Sequence, residues 1–194
     1  MSSKWSLPKN DPWSTPFAES LLHFLEIRKG DQILDIASGG GIPAFYLADQ
    51  VGLEGTILAV DIHQSQILRS RTIQGTELPW LRFEVGDMRF LPDDLPKFDR
   101  ITGNLSFMFF RPNRFEALQN LIRFLKPGGQ IVLTFPSLGT FDSLWDQVDK
   151  EMVALSLKDE RKALDEYINE RPSALQAEKW LQELGLEKVA VIEQ

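Results

Sequence analysis

The sequence predicts an α/β fold: a doubly wound, mostly parallel sheet with helices on both faces. Three observations predict it. Short apolar runs alternate with helical stretches between residues 31 and 136. Those runs are too uniformly apolar for strands with one wet face. The first of them runs into glycines and the second ends on an acid, in each case where a helix begins.

The elements follow in order. Pro8, Pro12 and Pro16 punctuate an irregular N-terminal arm, after which Phe17, Leu21, Phe24 and Leu25 fall at helical spacing. Lys29-Gly30-Asp31 closes that helix. Gln32–Ala37 is the first strand, and Pro43–Val51 a helix with proline in its first turn. Thr56–Asp61 is the second strand, followed by a helix over Ser65–Thr76. Leu81–Val85 and Phe98–Gly103 are the third and fourth strands. Asn113–Leu125 is an amphipathic helix ended by Lys126-Pro127-Gly128-Gly129, and Gln130–Pro136 is the fifth strand. Residues 141–171 read as helical and heavily charged. Ser173–Leu184 reads as a further helix stopped by Gly185, and Leu186–Ile192 as a last strand.

A chain of 194 residues with 43% hydrophobic content predicts one domain. Within it, 1–30 is the arm and first helix, 31–136 a ligand-binding core, 137–172 a helical insert, and 173–194 the last helix and strand. The absence of cysteine excludes disulfides, thiolate metal sites and a cysteine nucleophile. Two histidines, His23 and His63, argue against a histidine-built metal centre, so no metal is expected. A net charge of -7 argues against nucleic acid as partner. No signal-peptide pattern and no membrane-length apolar run occur, so a cytoplasmic location with no membrane partner is expected.

The most informative segment is Asp35-Ile36-Ala37-Ser38-Gly39-Gly40-Gly41, a strand running through glycines into a helix. Such a turn lets the backbone approach a ligand, and the helix N-terminus offers free N–H groups. Asp61 ends the next strand, 20 residues beyond Gly41, where a carboxylate can accept both hydroxyls of a ribose. Asp87 follows the third strand. Three such loops on one sheet edge point to a nucleoside pocket.

Residues 14–136 resemble the class I S-adenosylmethionine (SAM)-dependent methyltransferases, which have a Rossmann-like fold. The matching pieces are QILDIASGGGIPAFYLA, ILAVDIHQSQI, RFEVGDMRFLP, FDRITGNLSFMFF and ALQNLIRFLKPGGQIVLTFP. The likeness is to the small-molecule branch that includes quinone-biosynthesis C-methyltransferases. Ala37 stands where the first glycine of the wider family's motif would be, as it often does in that branch. The resemblance implies SAM as cofactor, S-adenosylhomocysteine as product and a small-molecule methyl acceptor. It also implies roles by position. Ala37, Ser38, Gly39 and Gly41 would wrap the methionine part, with Asp35 beneath its ammonium. Asp61 would hold the ribose, Ile62 would lie on the adenine, and Asp87 would meet the adenine amino group beside Met88. The backbone at Asn104 would reach the ammonium.

For the acceptor, the aromatic arm and loops nominate Trp13, Phe17, Phe109, Phe110, Arg111 and Trp145. A catalytic base is not evident. Other readings stay open: a non-catalytic SAM-binding domain, an amino-group methyltransferase of nucleic acid suggested by Asn104-Leu105-Ser106-Phe107, and an NAD-dependent oxidoreductase suggested by Gly39-x-Gly41-x-x-Ala44. Relative to the family, the last antiparallel strand has no counterpart. The expectation is therefore a chain cut from a longer protein, or a partner or further domain covering that sheet edge.

Overall fold

The structure, a computed structural model, describes residues 5–8 and 11–193; part of the expected N-terminal arm, 1–4 and 9–10, lies outside them. It divides into two compact units, 1–135 and 136–194.

The first unit is built on five parallel strands: β1 (Gln32–Ile36), β2 (Thr56–Asp61), β3 (Leu81–Val85), β4 (Phe98–Gly103) and β5 (Leu125–Leu133). They lie in the order β3-β2-β1-β4-β5. The chain runs outward from β1 through β2 to β3, then returns to β4 on the other side of β1. The order thus reverses between β1 and β4, which is where open α/β sheets bind ligands. Among the described residues, four α-helices belong to this unit: α1 (Ser14–Phe24), α2 (Ala44–Val51), α3 (Gln64–Gln74) and α4 (Arg114–Ile122).

Side chains alternate across each strand. Ile33, Ile57, Ala59, Leu81 and Phe83 form one buried cluster with Leu21 from α1 and Leu25 just after it, Phe45, Leu47 and Val51 from α2, and Ile67 from α3. Leu34, Ile36, Leu58, Val60 and Ile101 point the other way and are also buried, as are Leu118 and Leu121 of α4. Burial on both faces is what made these strands read as continuous apolar runs.

Three elements depart from the sequence reading. The helix predicted to Leu125 ends at Ile122, and Leu125 already pairs with Phe98 in the β4–β5 ladder. The register then jumps, because Gln130 pairs with Arg100. Lys126-Pro127-Gly128-Gly129 is therefore an irregularity inside the ladder. A side chain at Gly129 would stand 2.9 Å from the Asp99 carbonyl oxygen, and Gly128 has φ +75°.

In the second unit the predicted helical stretch is two helices, α5 (Asp142–Ala154) and α6 (Lys158–Asn169), broken where Ser156 takes φ 60°. Arg161 pairs with Asp149 across them at 2.6 Å. The helix after them, α7 (Ala174–Glu183), is capped by the Ser173 side chain on the Gln176 N–H at 3.2 Å. The predicted strand at Leu186–Ile192 is not a strand. Lys188 takes φ 53°, which interrupts an extended run, and Leu186, Val189 and Val191 are only half-buried. Its apolar alternation is real, but no neighbouring strand pairs with it.

Candidate functional site

The carboxyl ends of β1 and β2 and the loops after β1, β2, β3 and β4 hold all ten residues nominated for the cofactor. The β1 loop is the most constrained. Ala37, Gly39 and Gly41 all have positive φ, at 50°, 50° and 89°. At Gly41 an added Cβ would lie 2.4 Å from the Phe45 ring. That ring is stacked on Trp5 and meets the tilted Phe83 ring, with centroids 5.0 and 5.3 Å away, so it has little room to yield. At Gly39 an added Cβ would meet nothing within 4 Å, so space lies open above the loop there.

Asp61 ties the β1 and β2 loops together. Its Oδ2 accepts the Gly39 N–H at 2.8 Å and its Oδ1 accepts the His63 N–H at 2.8 Å. The Ser70 hydroxyl of α3 donates to the Gly39 carbonyl at 3.3 Å. A carboxylate has about four acceptor positions, and these two bonds use half of them. Ile62, next to it, is 57% exposed and offers an apolar surface beside the loop.

Asp35 is fully buried. Its Oδ1 accepts the Thr102 hydroxyl at 2.7 Å, and its Oδ2 has no hydrogen-bond partner. Burial pushes its carboxyl up to about 7; the Thr102 hydrogen bond opposes the rise, and the nearby Asp61 charge adds to it. The buried Ser38 hydroxyl oxygen is likewise unpartnered. Orphaned buried acceptors of this kind call for an explanation, and a ligand is one.

Asp87 is more committed than the sequence suggested. Arg89 closes on it with its backbone N–H at 2.9 Å, its Nε at 2.9 Å and its Nη2 at 2.5 Å. These bonds hold the Asp87 carboxyl below the usual carboxylate range. Arg89 also donates from Nη1 to the Arg111 carbonyl at 2.8 Å, joining the β3 loop to the segment after β4. Met88 is buried beneath.

The side chain of Asn104 is occupied. Its Nδ2 donates to the Ser14 carbonyl at 3.0 Å, and its Oδ1 accepts the Thr134 hydroxyl at 2.9 Å. Thr134 Oγ1 in turn accepts the Leu105 N–H at 2.8 Å. An amino-group methyltransferase would need that amide to hold a base; here it anchors α1.

The acceptor-side nominations separate. Phe109 is 59% exposed, and Trp13 is half-exposed with its ring 6.2 Å from Phe17. Phe110 is 1% exposed, its ring packed on Phe107. The Arg111 side chain is exposed. Trp145 lies in the second unit, its indole donating to the Thr140 carbonyl at 3.1 Å and its ring meeting Tyr167. Both histidines are exposed. Among the described residues, no group of three or more His, Asp or Glu side chains could hold a metal ion, and no helix is long and apolar enough to cross a membrane.

Sequence reasoning missed Thr102, Ser70, Thr134 and Arg89. The first three act across the sheet or from a helix, and no local spacing marks them. Arg89 could have been found, because a cation two residues after a strand-end acid can fold back on it.

Comparison with known proteins places the chain in a family. The family model described as a methyltransferase domain matches residues 33–129, half of the chain. The chain belongs to this family, and its fold is that of the class I SAM-dependent methyltransferases. It is 32% identical over 129 residues to the ubiquinone/menaquinone biosynthesis C-methyltransferase UbiE of Idiomarina loihiensis, covering 62% of this chain and 49% of that one. It is 25% identical over 190 residues to the demethylmenaquinone methyltransferase of Shouchella clausii, covering 96% and 74%. A SAM-dependent methyltransferase structure from Aquifex aeolicus shares the fold with a TM-score of 0.69 at 19% identity, over 95% of this chain and 88% of that one. The chain spans about half the length of several curated relatives, between 49% and 54%.

Proposed function

We propose that the protein transfers a methyl group from SAM to an apolar small-molecule acceptor. The observation that carries this reading is the cradle of Asp61, Gly39 and Asp35. One carboxylate is clamped beside an open glycine loop, and a second, buried and half-unpartnered, lies beneath that loop. The residues fit SAM. Asp35 Oδ2 and the Ser38 hydroxyl suit its amino-acid end, Asp61 the ribose hydroxyls, and Ile62 with Met88 the adenine. The Asn104 backbone closes the amino-acid end. Asp87 meets the adenine amino group only where Arg89 gives way. All of these lie in residues 31–136, which serve as the cofactor core of a single methyltransferase domain.

When bound, the cofactor supplies an activated methyl group. The chain's own residues then have mainly to position and to exclude water. Trp13, Phe17 and Phe109 form the apolar rim, and Arg111 meets an acidic group on the acceptor. Relatives named for quinone methylation make a quinol-like ring the first acceptor class to try. The occupied Asn104 amide speaks against a nucleobase. A cytoplasmic location and a partner or further domain at the β5 edge complete the proposal.

The test is S-adenosylhomocysteine formation from SAM with quinol, phenol and polyketide-type acceptors. Product above the buffer rate with one class supports the proposal. No product from a folded, SAM-binding sample would favour the non-catalytic reading.

A further inference from the structure

Asp35 and Thr102 are register partners on β1 and β4, the two strands that flank the point where the strand order reverses. Both side chains are fully buried, and 2.7 Å separates the Thr102 hydroxyl from Asp35 Oδ1. Oδ2 has no partner. A threonine hydroxyl has one proton to give, and Asp35 receives it. The carboxylate is thereby fixed with one oxygen satisfied and the other left for a donor brought from outside.

We propose that Thr102 is a positioning residue for the cofactor. Its hydroxyl orients the Asp35 carboxylate and favours the ionised form that receives the ligand's ammonium, and ligand binding expels the proton that burial leaves on Asp35. The inference rests on the SAM-binding reading above. It adds the residue that controls the charge of the site.

The surroundings leave this task to Thr102. From β2, the charged group acting on Asp35 is Asp61, which disfavours ionisation. On β4, Arg100 is buried but is turned to Asp31 at 3.5 Å and to the Glu26 carbonyl at 2.7 Å, at the amino end of the strands. The first two helices contribute Glu19, His23 and Asp49, all exposed, and the half-buried Tyr46. Arg71 of α3 donates to the Phe83 carbonyl, and Arg69 is exposed. Arg114, at the start of α4, is the remaining buried charge among the described residues of this unit. The Thr102 hydrogen bond is thus the influence on Asp35 that favours its charge. With its carboxyl near 7, Asp35 is about half-protonated in the free protein at neutral pH. An ammonium seated against Oδ2 drives that proton off.

Calorimetric titration with S-adenosylhomocysteine, across pH 6 to 9 and in buffers of differing ionisation enthalpy, tests this with wild type, Thr102→Val, Thr102→Ser and Asp35→Asn. The ligand's own amine titrates identically in all four, so differences between variants report Asp35. Wild type is expected to release about half a proton at pH 7, set by the Asp35 carboxyl near 7. Loss of a hydrogen bond to a charged group in Thr102→Val should move the affinity midpoint up by about one pH unit. That variant should then bind about fivefold more weakly at pH 7, release close to one proton, and recover at pH 9. Thr102→Ser should behave as wild type, and Asp35→Asn should release no proton. Equal weakening of Thr102→Val at every pH, with no shift of the midpoint, would overturn the proposal and leave the SAM reading standing. Absence of binding by folded wild type would overturn both.

Discussion

A carboxyl group buried without a cation is a burden on the unliganded fold. The Asp35 carboxyl lies near 7 in the folded chain against an ordinary 3.8. Between those values the folded chain keeps a proton that the unfolded chain has lost. Stability therefore falls as pH rises from about 4 to 7 and is level above, by roughly 4 kcal/mol over that span. Asp35→Asn is expected to raise the unfolding midpoint of the ligand-free protein at pH 8, with the gain shrinking towards pH 4. A lower midpoint at pH 8 would contradict the assignment of burial as the cause. Gly41→Ala should do the opposite at every pH. A positive φ and a Cβ 2.4 Å from a ring held on both sides predict a loss of about 1–3 kcal/mol, read by denaturant unfolding. Asp35, Gly41 and Asp61 were legible in the sequence because strand ends, glycines and the 20-residue spacing are local signals. Thr102 was not, because its partnership with Asp35 depends on the β1–β4 register, which brings together residues 67 apart.

Between elements, two polar staples hold the loops that frame the site. Arg89 joins the β3 loop to the chain at Arg111. Asn104, with Thr134, joins the end of β4 to the first turn of α1. Arg89→Ala should speed hydrogen exchange over residues 109–112 and leave the core strands protected. Asn104→Ala should do the same over α1, at an expected loss of about 1–2 kcal/mol for an unmade buried hydrogen bond. Unchanged exchange in either segment would remove that staple from the account. The strands β2, β3 and β4 fell on the boundaries read from the sequence: β2 and β4 are buried and announce themselves by composition, and β3 alternates buried Leu81 and Phe83 with polar residues. The Lys126–Gly129 irregularity did not, because a Pro-Gly-Gly run reads as a turn whether it precedes a ladder or interrupts one. Residues 186–192 misled for the converse reason: alternation marks a strand only where an edge exists to receive it.

For the whole molecule, the fold class was carried by features spread along the chain, and the alternation of elements was enough to define it. The sequence changes pattern after residue 136, which reads as the step from core to helical insert within one domain; the two compact units divide after residue 135. Every nominated cofactor residue lies in the first unit. A fragment of residues 1–135 should therefore bind S-adenosylhomocysteine within about threefold of the full chain, by calorimetry, since separated sites act nearly independently. A much larger loss would give the second unit a part in the cofactor site. β5 ends the described sheet with its outer edge unpaired by another strand, and such edges are commonly covered.

The central claim is that the cradle at the ends of β1 and β2 is a SAM site. Titration of the purified full chain with SAM, S-adenosylhomocysteine and NAD tests it most directly, beside Asp61→Ala. The account predicts micromolar binding of SAM and its product, no binding of NAD, and loss of at least tenfold in Asp61→Ala as the Gly39 loop is released and the ribose hydroxyls lose their acceptor. Binding of NAD in place of SAM, or SAM affinity untouched in a folded Asp61→Ala protein, would contradict it.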